Sequence, residues 1–156
     1  MKKKIKIINR NGVKKWIVRE CIRFAVFLEN TRELKHNLRV LLVNNPAVKV
    51  DNDEKYGFGV FVCSKTMREI VLACNWLPYR EDGIKNRADA NGMIMTNFAH
   101  EWCHYEDYAK GVKGNHRRME IRVKNIMNEY LKYIKSDAIM KKRKPIFPIF
   151  AKESEK

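Results

Sequence analysis

The stretch "FAHEWCHYEDYAKG", residues 98–111, decides how this chain is read. His100 and His104 stand four residues apart, and Glu101 directly follows the first. On a helix, residues i and i+4 lie one above the other on the same face. Two imidazoles so placed can both reach one Zn²⁺ at about 2.0–2.1 Å. A glutamate at i+1 lies beside them, too far round to ligate easily but close to a water at the metal. The pKa of that water falls toward about 7, and the carboxylate can take its proton during attack on a carbonyl. Phe98, Ala99, Trp102 and Cys103 can bury the back of this helix, and Gly111 is a natural C-cap. The competing reading is a surface helix carrying two unrelated histidines.

A catalytic zinc takes three protein ligands and keeps a fourth position open. Three downstream residues are candidates for the third. Asp107 is on the same helix and nearly the same face, but about 10 Å from His100 along the axis and on a short side chain. His116 sits at the start of the next helical segment. Glu120 lies one turn into that segment, on the flank of its apolar face, aligned with Met127 and Leu131. A glutamate there either snorkels out of the core or points at something positive, so Glu120 ranks first. Its plainer reading is an exposed acid pairing with Arg117 or Lys124. A developing oxyanion also needs a donor. Tyr108, one turn beyond His104 on the same side, ranks ahead of Tyr105, His116 and Tyr130. Each tyrosine also reads as a packing residue with a solvated tip.

Working outward, "KKKIKIIN" alternates basic and apolar residues before Asn11-Gly12 and reads as an edge strand and turn. The segment from Val13 to Leu34 has helical spacing, with Trp16, Val18, Cys21, Ile22, Ala25, Val26 and Leu28 on a wide apolar face. "LRVLLVNNP", "YGFGVFVCS" and "REIVLACNWLP" read as three strands, expected to pair as neighbours in one sheet. Residues 79–92 read as a polar loop and residues 93–111 as the motif helix. Asn115 is an expected N-cap. The following helix repeats Met119, Val123, Ile126, Met127, Tyr130, Leu131 and Ile134 at threes and fours. The sum is an α+β domain over residues 1–137, a small three- to four-stranded sheet covered by helices. Residues 138–156 read as a basic, extended tail, because Pro145 and Pro148 forbid a helix. Its Ile146, Phe147, Ile149 and Phe150 are expected to pack back on the domain.

The length of 156 residues suits one domain with one core. There are 33 Lys and Arg against 18 Asp and Glu, a net charge of +15. That balance favours acidic partners, either nucleic acid or acidic proteins, although no nucleic-acid module is recognisable. Cys21, Cys63, Cys74 and Cys103 form no C-x-x-C pair and sit in apolar segments, as buried free thiols of a reducing compartment do. No apolar run follows the basic N-terminus at signal-peptide length, and no segment approaches a membrane span. Cytoplasmic residence and no membrane role are expected.

His100-Glu101-x-x-His104, a Gly-bearing turn and then Glu120-Ile121-Arg122-Val123 resemble a gluzincin metallopeptidase of minimal size. The order of helix, small sheet, motif helix and glutamate helix is similar as well, across residues 16 to 135. The nearest subgroup is the compact ImmA/IrrE-type peptidases, often carried by phages and mobile elements. The resemblance implies a zincin-like fold and a Zn²⁺ cofactor held by His100, His104 and Glu120. It also implies peptide-bond hydrolysis with Glu101 as general base, on a protein or peptide substrate. The alternative is a basic nucleic-acid- or protein-binding module whose zinc site is structural or degenerate.

Overall fold

A computed structural model describes residues 2–50, 56–75 and 86–140, with the side chains of residues 116 and 137–140 outside the description. The tail after Met140, with its two prolines, lies outside the described residues. The elements run β1 (Ile5–Asn9), α1 (Lys15–Thr31), β2 (Leu38–Val43), β3 (Val48–Lys49), β4 (Tyr56–Gly57), β5 (Gly59–Cys63), β6 (Arg68–Ala73), α2 (Arg87–Lys110) and α3 (His116–Met140). Among the described residues this is an α+β architecture with three helices and a mixed four-stranded sheet.

The sheet order is β1-β2-β6-β5. β1 pairs β2 and β2 pairs β6 in parallel, while β5 runs antiparallel to β6. The expectation that sequence neighbours pair holds for β5 and β6 but not for β2 and β5, because β6 is inserted between them. β2 is buried on both faces, with Leu38, Val40, Leu41 and Leu42 all enclosed, as a central parallel strand requires. β5 is left at the edge, beside the two-stranded β3–β4 ribbon.

Two turns follow directly from residue chemistry. Gly12 takes φ +76°, and Asn9 brackets its turn by accepting from the Val13 N–H and donating to the Val13 carbonyl. Gly111 closes α2 in the left-handed conformation at φ 67°. α2 starts earlier than the polar loop reading implies. Residues 87–92 are helical because Asn86 caps them, its side chain accepting from the Asp89 N–H at 2.9 Å. Asn115 caps α3 in the same way, accepting from the Arg118 N–H at 3.2 Å. α3 then continues to Met140, past the boundary expected at residue 137.

The core lies between the sheet and the three helices. On α1 the buried residues are Ile17, Cys21, Phe24, Ala25, Phe27 and Leu28, so the apolar face is rotated from the expected one. Ile22 is 47% and Val26 41% exposed. Phe24 and Phe27 make a ring cluster with Tyr130 of α3 at centroid distances of 4.8 and 5.1 Å. On α3, Met119, Val123, Ile126, Tyr130 and Ile134 are buried as their spacing predicts. All four cysteines are free thiols, but Cys63 is exposed because it sits on edge strand β5.

One acid breaks the apolar pattern. Glu20 is fully buried on α1, accepting from the Tyr130 hydroxyl and standing 3.5 Å from the Asn91 amide. Burial pushes its carboxyl up to about 8. The folded state therefore holds this proton more tightly than the unfolded chain does. Glu20 costs nothing at acidic pH and destabilises progressively as pH rises from about 4.5 to about 8. Denaturant titrations of Glu20→Gln and wild type should show the variant gaining on the order of 3 kcal/mol relative to wild type between pH 5 and pH 8. A difference independent of pH would show that Glu20 is ionised throughout.

Candidate active site

α2 puts its two faces to different uses. Ile94, Met95, Phe98, Ala99, Trp102, Cys103 and Tyr105 are buried against the sheet and neighbouring helices. The Tyr105 hydroxyl fixes the helix further, accepting from the His36 N–H at 3.0 Å and donating to the His36 carbonyl at 2.8 Å. His100, half-buried, and His104, exposed, emerge on the other side. Their Nε2 atoms are 3.2 Å apart, with the rings at 76° and centroids 4.9 Å apart. Two nitrogens of a tetrahedral zinc site, each about 2.0–2.1 Å from the ion, are about 3.3 Å from one another. The pair thus fits a shared metal, and this donor set of neutral imidazoles suits zinc. A direct N–H···N hydrogen bond fits the same separation.

Glu101 is turned toward the sheet. It is 6% exposed, and the backbone N–H of Phe61 on β5 hydrogen-bonds its carboxylate. Burial pushes this carboxyl up to about 7 against that hydrogen bond. A base in this range can accept a proton near neutral pH and release it again. Gly59 makes room for it. A Cβ at that position would lie 3.0 Å from the Glu101 Cγ, 3.2 Å from the Leu72 Cδ2 and 3.3 Å from the Glu101 Oε2. Sequence reasoning passed over Gly59. The signal was a glycine inside the apolar run Tyr56–Cys63, which marks a close approach to a strand.

A cavity of about 580 Å³ joins these groups. His100, Glu101, His104, Asp107 and Tyr108 of α2 form one wall, residues 59–61 of β5 another, and Val50, Val112 and Gly114 complete the lining. None of these lining residues is a lysine or arginine, although the chain carries net charge +15. Tyr108 stands at the mouth, 39% exposed. Its hydroxyl accepts from Arg68 at 3.4 Å, and the Arg68 guanidinium lies 5.7 Å from its ring centroid.

The three third-ligand candidates fall in different places. Asp107 shares the cavity with both histidines. Its Oδ1 accepts from Arg122 at 2.7 Å, while its buried Oδ2 has no hydrogen-bond partner among the described residues. Glu120 is exposed and lines a separate cleft of about 460 Å³ between α2 and α3, which His100 also lines. His116 heads α3, and its side chain is outside the description. Among the described residues, no three His, Cys, Asp or Glu side chains are grouped closely enough to hold a metal ion together. The motif residues His100, Glu101 and His104 are therefore brought together, and Glu120 is not brought to them.

The chain matches no family model, no curated protein and no solved structure. Among the described residues no helix is long and apolar enough to cross a membrane.

Gly59→Ala should push the Glu101 carboxylate out of place. Any activity that depends on Glu101 should fall about tenfold or more, while the melting temperature shifts by only a few degrees. Unchanged activity in Gly59→Ala would show that the contact between β5 and Glu101 has no bearing on function.

Proposed function

We propose that the protein is a zinc-dependent endopeptidase. The observation that carries this reading is the 3.2 Å separation of the His100 and His104 Nε2 atoms, in the cavity that Glu101 lines. His100 and His104 would hold the ion, with Glu120 as the third ligand on the strength of the gluzincin-like motif order. Zinc, when bound, supplies a Lewis acid that polarises the scissile carbonyl and acidifies the attacking water.

The remaining steps belong to the chain's own groups. Glu101 takes a proton from the water as it attacks and returns it to the leaving amine. The Phe61 N–H holds the Glu101 carboxylate on the side of β5 throughout. Tyr108, at the mouth, donates to the oxyanion. β5 is a sheet edge directly beside the cavity, so an extended peptide can add to it by main-chain hydrogen bonds. A cytoplasmic location accords with the four free thiols.

Metal analysis of protein purified without chelators should find about one zinc per chain. His104→Ala should lose most of it. Glu101→Gln should keep the metal and lose peptide hydrolysis roughly a thousandfold. Wild-type protein that arrives without metal and takes up no added zinc would sink this reading. In that case the two rings simply share a hydrogen bond, and the basic binding module becomes the better account.

The third ligand is tested separately. Zinc affinity should fall far more in Glu120→Ala than in Asp107→Ala or His116→Ala, by about 10- to 100-fold or more. If Asp107→Ala or His116→Ala proves the damaging change, the zinc site stands and the assignment of Glu120 falls.

A further inference from the structure

A third, smaller cleft of about 310 Å³ opens where α2 ends and α3 begins. Lys110, Lys113, Arg118 and Arg122 line it, with Glu106 and Asp107. These charges are not equivalent. Arg122 is engaged by both acids, reaching Glu106 at 3.0 Å and Asp107 at 2.7 Å. Lys110, Lys113 and Arg118 have no acidic partner among the described residues. Three exposed cations thus line one cleft, and each of the two carboxylates on its wall has one oxygen engaged by Arg122. The capped start of the 25-residue helix α3 lies at the same place, with Asn115 in the lining. Its dipole adds positive potential there.

Position gives this cleft its meaning. Asp107 and Val112 line both it and the cavity that holds His100, Glu101 and His104. Among the described residues the first space has no lysine or arginine on its walls, whereas this cleft has four. A peptide lying in the catalytic cavity and continuing past Val112 enters a region where cationic side chains outnumber acidic ones four to two.

We propose that the cleft between α2 and α3 is a substrate subsite that takes a carboxylate of the peptide, close to the bond being cut. This rests on the endopeptidase reading. The carboxylate belongs either to an Asp or Glu side chain or to the free C-terminus of a short peptide. In both forms it forms charge-assisted hydrogen bonds with Lys113 and Arg118, both of them exposed and able to reach it. Uniform surface charge does not produce this preference, since it attracts acidic peptides without regard to where their charges fall.

The test uses binding first and hydrolysis second. Fluorescently labelled peptides carry one Glu, or Gln in its place, at successive positions, and a neutral peptide is made as free acid and as amide. Fluorescence anisotropy gives the affinity of each for wild type, for Lys113→Glu/Arg118→Glu, and for Lys14→Glu/Lys15→Glu. The last pair makes the same charge change at the start of α1, away from the cleft. One Glu position, or the free acid, should bind wild type about tenfold more tightly than its neutral counterpart. The cleft variant should lose that preference and the α1 variant should keep it. The position that wins tells a side-chain carboxylate from a terminal one.

Equal loss in both variants would overturn the proposal, leaving only the general field of the protein. So would affinities that ignore the Glu-to-Gln exchange at every position. A single-stranded oligonucleotide that binds better than any peptide, and is lost in the cleft variant alone, would reassign the cleft to phosphate. Position-specific peptide binding without hydrolysis in zinc-loaded protein would count against the endopeptidase reading and leave the carboxylate site standing.

Discussion

The contact between the Glu101 carboxylate and edge strand β5 is the interaction on which the rest of the site depends. Glu101 is a charged side chain on a helix whose neighbours Phe98, Ala99, Trp102 and Cys103 are all buried. Such a group costs several kcal/mol to enclose unless something satisfies it. The Phe61 N–H does so, and Gly59 gives the space. Because this hydrogen bond comes from an edge strand, it needs no partner strand to be broken. Apart from that N–H, the outer edge of β5 has no paired strand among the described residues. Burial of Glu101 also fixes the rotation of α2 about its axis. With residue 101 turned to the sheet, residues 100 and 104 face the cavity from one side.

What the sequence made legible follows from which signals are local. Helix caps are short-range chemistry, so Asn115 and Gly111 could be read directly, and the periodic apolar face of α3 located its buried side. The His100–Glu101–His104 arrangement was equally readable, because i and i+4 stacking is a property of any helix. Strand order was not. β2 and β6 join through a crossover, and the loop lengths around β5 give no sign that β6 comes between β5 and β2. The rotation of α1 was misread for a related reason. Ile22 and Val26 satisfy the helical spacing as well as Ile17 and Phe24 do, and only the position of the sheet decides between the two stripes. Glu20, in the middle of the correct stripe, concealed it further. Nor could Gly59 be tied to Glu101 from spacing, since 42 residues separate them and only the fold brings them together.

Charge is distributed over this chain in a way its composition does not suggest. An excess of basic residues usually means that any surface depression carries some of them. Among the described residues the cavity at His100 and His104 has none on its walls and has two carboxylates, Glu101 and Asp107. A lysine on that wall would cost an entering cation about 4 kcal/mol at 4 Å for an effective dielectric near 20, whereas the Arg68 guanidinium is drawn to the Tyr108 ring at the mouth. Arg122 stands just behind, and its charge is held by Glu106 and Asp107, away from the histidines. The basic residues lie one step further along, at Lys110, Lys113 and Arg118.

That arrangement bears on which acid completes a metal site. Asp107 is the nearer choice by shared cavity, yet its Oδ1 is already held by Arg122. Ligation through Oδ1 would give up a charge-assisted hydrogen bond, and ligation through the buried Oδ2 would have to move a short side chain at the end of a helix turn. Glu120 faces the opposite costs. It is exposed, with no ion pair among the described residues, and its longer side chain shares with His100 the cleft on the far side of that ring. Ordering it costs up to about 2 kcal/mol of side-chain entropy. Structural zinc in small domains contributes about 10–16 kcal/mol, so that cost is readily met. Under the zinc reading proposed above, a solvated glutamate able to swing toward an ion would be a better third ligand than an aspartate already clamped by Arg122. The clamp in turn ties α3 to α2, the two helices whose facing sides form the cleft that His100 and Glu120 line.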